Sequence, residues 1–120
     1  MAKIMIVDDA AFLRAMLKDI LVQAGHEVVT EAGNGKEAIE RYMAFKPDVV
    51  TMDITMPIME GVEAVKEIRR IDPKANIVMC SAVGQKHLII EAIQNGAKDF
   101  IIKPFHSTRV LEAVSKALSS

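Results

Sequence analysis

Val49-Val50-Thr51-Met52-Asp53-Ile54-Thr55-Met56-Pro57, near the middle of the chain, is a short apolar run that stops at a carboxylate and then breaks at a proline. A strand buried on both faces reads this way: apolar without alternation, and only a few residues long. The same pattern recurs on either side. Lys3–Val7, Glu27–Ala32, Val49–Met52, Ile77–Cys80 and Phe100–Ile102 are the strand-like runs, and helical patterns fall between and after them at about 11–24, 35–45, 61–71, 85–95 and 108–118. Leu13, Met16, Leu17, Ile20, Leu21 and Ala24 recur at helical spacing in the first of these. Ala38, Ile39, Tyr42 and Phe45 do so in the second, with Asn34 placed as its N-cap. Gly25 and Gly96 each follow the last turn of a helix and precede a strand, as a left-handed C-terminal cap requires. Lys46-Pro47 and Asp72-Pro73 close two others, because proline disfavours helix in the residue before it. Strand–helix alternation with links this short predicts an α/β fold, a doubly wound five-stranded parallel sheet with five helices on its two faces. The second run, His26-Glu27-Val28-Val29-Thr30-Glu31, is more mixed and suits an edge of that sheet.

The totals fit one ordinary domain. The chain has 120 residues, 51% apolar and 26% charged, with a formal net charge of −1, so no global charge draws it to nucleic acid or an anionic membrane. No apolar run is long enough to span a bilayer, and Met1-Ala2-Lys3-Ile4 enters a strand pattern without the build of a signal peptide. The single cysteine, Cys80, sits within Ile77-Val78-Met79-Cys80 and reads as a small buried side chain. These features point to a cytosolic protein.

In an open parallel sheet, ligands bind beyond the carboxyl ends of the strands. Asp8 and Asp9 follow the first run, Asp53 the third, Ser81 the fourth and Lys103 the fifth. A lone aspartate is ordinarily a solvated loop residue; five charged or hydroxyl groups on one rim are informative together. Three carboxylates in one cleft repel one another and lose solvation, and a hard divalent cation relieves both effects. Mg²⁺ favours a few carboxylate oxygens with water and phosphate oxygens, while the lack of thiol and imidazole on the rim argues against zinc or copper. Lys103 supplies a mobile positive charge and Ser81 a hydroxyl donor. With a carboxylate able to form an acyl phosphate, the set matches the needs of phosphoryl transfer. Asp53, from the strand expected at the sheet's centre, is the candidate nucleophile.

Val7-Asp8-Asp9, Met52-Asp53-Ile54-Thr55-Met56-Pro57, Gly61, Ser81-Ala82 and Lys103-Pro104-Phe105 resemble the receiver domain of bacterial two-component response regulators across essentially the whole chain, 1–120. Asp8-Asp9-Ala10-Ala11-Phe12 and Ala97-Lys98-Asp99-Phe100-Ile101-Ile102-Lys103-Pro104-Phe105 further resemble the single-domain chemotaxis receivers. That resemblance implies a flavodoxin-like sheet of strand order 2-1-3-4-5, for which chemotaxis receivers are themselves a standard example. It implies that a histidine kinase of the chemotaxis type phosphorylates Asp53. Mg²⁺ would be held by Asp8, Asp9, Asp53 and the backbone carbonyl of Thr55, with Ser81 and Lys103 on the phosphoryl group and a cis bond before Pro104. It also implies a cytoplasmic monomer that binds the flagellar motor switch protein, is reset with the help of a dedicated phosphatase, and is no enzyme beyond its own phosphorylation and dephosphorylation. Phe100 occupies a switch position where the best-known chemotaxis relative has tyrosine, so a signal there would pass through packing alone. On the fourth helix, Leu88, Ile89, Ile90, Ala92 and Ile93 spread over a wider arc than one buried stripe needs, which marks a docking face beside Lys86 and Phe100.

Three other readings are open to the same residues. A transcriptional regulator needs a DNA-binding domain, for which no sequence remains after the fifth helix. A haloacid-dehalogenase-like phosphatase needs a second aspartate two residues after the nucleophile, where this chain has Thr55. A phosphorelay intermediate differs only in its partner. His26, His87 and His106 lack metal-ligand spacing and are expected to be solvated, and Asp48 is expected at the end of the sheet away from the site.

Overall fold

The computed structural model describes residues 1–119, in the order β1 (Lys3–Val7), α1 (Ala11–Gln23), β2 (Glu27–Ala32), α2 (Gly35–Phe45), β3 (Val49–Asp53), α3 (Gly61–Ile71), β4 (Ile77–Ser81), α4 (Lys86–Gln94), β5 (Asp99–Ile102) and α5 (Ser107–Ser119). The strands form one parallel sheet of order β2-β1-β3-β4-β5, with the mixed strand β2 at an edge. The apolar runs are continuous because successive residues serve two cores. Met5, Val7, Val50, Met52, Ile77 and Met79 pack with α2, α3 and α4, whereas Ile4, Ile6, Val49, Val78 and Cys80 pack with α1 and α5. A fully buried side chain of this size is worth about 1.5–3 kcal/mol. A slip of one residue would send each side chain to the wrong core, so register is strongly specified.

Local signals act as expected at several ends. Asn34 accepts the Glu37 N–H at 2.9 Å and caps α2, and Gly25 and Gly96 adopt φ of +91° and +113°. The Lys103–Pro104 bond is cis. Other expectations need correction. Met16 and Ala24 are exposed although they share the helical spacing of α1, because Leu17 and Leu21 face the sheet and Leu13 and Ile20 fill its flank. Phe45 is half exposed at the last turn of α2, where Lys46 turns the chain away in a left-handed conformation. His26 is half-buried rather than solvated: its Nδ1 accepts the Ala2 N–H at 3.1 Å, and burial lowers its affinity for a proton. His87 and His106 are exposed, and Asp48 accepts the Lys3 N–H at 2.8 Å at the amino end of the sheet. Strand β5 begins one residue early, at Asp99, which pairs in register with Val78 of β4 and whose buried carboxylate is bound by Arg109.

The chain runs from β1 outward to β2, then crosses back to β3 and onward to β5. The order therefore reverses between β1 and β3, and their carboxyl ends open a crevice, the usual ligand position in flavodoxin-like sheets.

Candidate functional site

The crevice receives Asp8 just beyond β1 and Asp53 at the end of β3. Both are buried, 3% and 5% exposed, while Asp9 is exposed. One carboxylate oxygen from each of the three lies within 4.8 Å of the other two. Lys103, just after β5, donates from Nζ to Asp53 Oδ1 at 3.1 Å and stands 3.2 Å from Asp8 Oδ2. The Ala10 N–H donates to Asp8 Oδ1 at 2.9 Å, and Arg14 Nη1 donates to the Asp8 carbonyl at 2.6 Å, which together orient the Asp8 carboxylate. Behind Asp53, the Gly61 N–H donates to the Ile54 carbonyl at 2.8 Å and draws the first turn of α3 against the strand end. A Cβ at Gly61 would overlap the Asp53 carbonyl oxygen and lie 3.0 Å from Ile54 Cα, so glycine is required there by close approach.

The electrostatics of the site favour added positive charge. Burial, reinforced by the neighbouring Asp8 and Asp9 charges and opposed by Lys103, pushes the Asp53 carboxyl up to about 6. Burial alone would lower the Lys103 ammonium, but Asp53 and Asp8 outweigh it and hold the group above its ordinary value. One lysine between two buried carboxylates and a third at the rim leaves negative charge uncompensated. The donor set is oxygen only; the adjacent Cys80 thiol is fully buried, and burial raises its pKa far from thiolate formation. Such a set fits a hard divalent cation such as Mg²⁺. Ser81, at the end of β4, is fully buried, and its Oγ has no hydrogen-bond partner among the described residues.

The remaining expected residues lie around this centre. Thr55 is exposed on the β3–α3 loop, where its hydroxyl accepts from Gln85 Nε2 at 2.7 Å. Phe100 is half-buried beside α4, with the Arg109 guanidinium 5.8 Å from its ring centroid. Lys86 is exposed. Ile89 is only 7% exposed, so it floors the α4 face rather than presenting it; Ile90 and Ile93, 47% and 43% exposed, carry the apolar surface. With Phe100 and Ile102 these side chains line a groove of about 460 Å³. Arg109 and Gln85 escape sequence reasoning because each looks like an ordinary polar helix residue until its partners are known.

The chain belongs to the response regulator receiver domain family, of the CheY chemotaxis type: the family model matches residues 4–115. It is 62% identical over 117 residues to the chemotaxis protein CheY of Bacillus subtilis, covering 98% of both chains. It is 61% identical over 114 residues to the chemotaxis protein CheY of Thermotoga maritima, covering 95% of each. Among solved structures it is similar to CheY in the CheX–CheY–BeF3–Mg²⁺ complex of Borrelia burgdorferi, with a TM-score of 0.89 and 36% identity over 93% of this chain and 85% of that one.

Proposed function

We propose that the whole chain, residues 1–120, is a chemotaxis switch that accepts a phosphoryl group on Asp53 from a histidine kinase. The observation that carries this reading is a buried, poorly compensated Asp53 carboxylate with Asp8 and Asp9 within 4.8 Å and Lys103 bonded to it. Asp8, Asp9, Asp53 and the backbone carbonyl of Thr55 would hold Mg²⁺, which when bound neutralises carboxylate and phosphoryl charge. A carboxylate oxygen of Asp53 attacks phosphorus as the bond from phosphorus to the donor nitrogen breaks, and the freed imidazole takes up a proton. Lys103 and Ser81 supply positive charge and a hydroxyl hydrogen to the equatorial oxygens; the unpartnered Ser81 Oγ is free for that bond. Hydrolysis later returns the carboxylate and inorganic phosphate.

The output side of the proposal rests on the α4–β5 groove. Movement of Ser81 and Lys103 toward the phosphoryl group vacates space for Phe100 to turn inward. A partner that prefers that arrangement then binds more tightly, by no more than its differential affinity for the two states. The names of the similar proteins favour chemotaxis over a phosphorelay; with that reading go the flagellar motor switch as the partner and the cytoplasm as the location, both implied by the family resemblance alone. A separate resetting protein is in line with the Borrelia CheX–CheY complex. Incubation with Mg²⁺ and a small phosphodonor, followed by intact mass measurement, tests the acceptor: a phosphate-sized gain in the native protein and none in Asp53→Asn is expected. No gain, or the same gain in both, overturns the reading.

A further inference from the structure

The end of the β3·β4 pair contains a donor that the sheet does not use. The Ile54 N–H donates to the Cys80 carbonyl at 3.1 Å, and the Lys103 N–H donates to the Ser81 carbonyl at 2.8 Å. Cys80 therefore faces β3 and Ser81 faces β5. Because backbone groups alternate along a strand, the Ala82 N–H faces the β3 side again. The carbonyl that would continue the ladder, that of Ile54, is taken by the Gly61 N–H. The Ala82 N–H is thus left in the gap between the two strand ends, two residues past Cys80, the register partner of Asp53. Gln85 fills that gap. Its Oε1 accepts the Ala82 N–H at 2.8 Å, and its Nε2 donates to Thr55 Oγ1 at 2.7 Å, so one carboxamide ties the β4–α4 loop to the β3–α3 loop across 30 residues of sequence.

Little else restrains this loop. Ala82, Val83 and Gly84 are exposed, and a Cβ on Gly84 would meet nothing within 4 Å. Gln85 caps α4 through its backbone carbonyl only, with its side chain turned toward the site.

We propose that Gln85 is a latch on the unphosphorylated site: its carboxamide occupies the Ala82 N–H that a phosphoryl oxygen on Asp53 would take. The proposal rests on Asp53 as acceptor. Phosphoryl acceptance then has to break the Gln85 bonds to Ala82 and Thr55, and their release frees the β4–α4 loop to follow Ser81. Gln85 is a positioning residue in this scheme, setting how readily the loop moves.

The test compares the native chain with Gln85→Ala and Gln85→Glu in Mg²⁺ and acetyl phosphate, following the rate of phosphate gain by intact mass. Removing the latch is expected to speed acceptance about fivefold, the equivalent of about 1 kcal/mol. Glutamate is expected to slow it below the native rate, since its carboxylate binds the Ala82 N–H more strongly and repels the incoming anion. Opposite signs in the two variants are not expected of a residue that merely supports α4. Amide hydrogen exchange in the unphosphorylated proteins gives a readout independent of chemistry: the Ala82 amide should exchange faster in Gln85→Ala, while that of Ile54 stays protected. Phosphorylation of all three proteins at one rate, or unchanged Ala82 exchange, overturns the latch. No phosphate gain in any of them, native protein included, overturns the acceptor reading beneath it.

Discussion

Asp53→Asn removes a charge while keeping the shape of a buried side chain, so it measures how poorly the metal-free site tolerates that charge. The native carboxyl is pushed up to about 6, chiefly by burial. A rise of about two units corresponds to about 3 kcal/mol against the ionised form. The rim is open to solvent, which screens the interaction, and about 1–2 kcal/mol is a fairer figure. Lys103 loses a charged partner in the variant but keeps Asp8 at 3.2 Å, so the net gain is about 1 kcal/mol. In a chelator near neutral pH the variant should therefore melt about 3–6 °C above the native protein.

The pH dependence has a definite sign. The carboxyl binds its proton more tightly in the folded chain than in the unfolded one, so native stability is lost as pH rises through about 6 and is recovered below it. The gap between the two proteins should narrow as pH falls from about 7 toward about 4. Mg²⁺ acts the other way. At about ten times its Kd it adds about 1.4 kcal/mol to the native fold, and less to a variant lacking one carboxylate, so the gap closes or reverses. Circular dichroism melts with chelator and with Mg²⁺, each at two pH values, make the measurement. A metal-free variant no more stable than the native protein near neutral pH would falsify the reasoning, and so would equal stabilisation of both by Mg²⁺.

Other perturbations bear on the scaffold. Gly61→Ala should destabilise by about 2–4 kcal/mol and slow phosphate uptake, because the new methyl displaces the Asp53 backbone; a urea midpoint equal to the native one would contradict this. Burial tends to raise the Asp99 carboxyl, but Arg109 and the Phe100 N–H outweigh it and hold the carboxyl below the usual range. The stability that follows is present above the ordinary aspartate range and lost as pH falls through the lower folded value. Arg109→Ala leaves that carboxylate buried and unpaired, so it should lower stability by about 2–3 kcal/mol at neutral pH and move the onset of acid unfolding upward; an unchanged acid titration would count against it. Ile58 is a β-branched residue at φ +69° and 79% exposed. Ile58→Asn should raise stability by about 1 kcal/mol, read as a higher melting temperature, since asparagine accepts that conformation and little packing is lost; a lower melting temperature would show that the loop gains from the isoleucine.

What the sequence determined by itself was mostly local in origin. Short continuous apolar runs and a helical period of about 3.6, punctuated by Gly25, Gly96, Pro47 and Pro73, place all ten elements to within a residue or two, because such runs and caps are read from neighbours a few positions away. The same periodicity puts Asp8, Asp9, Asp53, Ser81 and Lys103 on one rim, since each stands just past a strand and parallel strands all end on the same side. The strand order came with the family resemblance, not with spacing. Tertiary structure decided what depends on how the elements meet. It left Met16 and Phe45 exposed on their helices, buried Ile89 while leaving Ile90 and Ile93 outside, and paired the buried Asp99 with Arg109. It also set Lys103 between Asp8 and Asp53 and stretched Gln85 from Ala82 to Thr55. Apart from the local Gln85–Ala82 bond, those contacts join residues 10 to 95 positions apart, and only packing of the sheet against its helices brings their atoms within hydrogen-bonding reach.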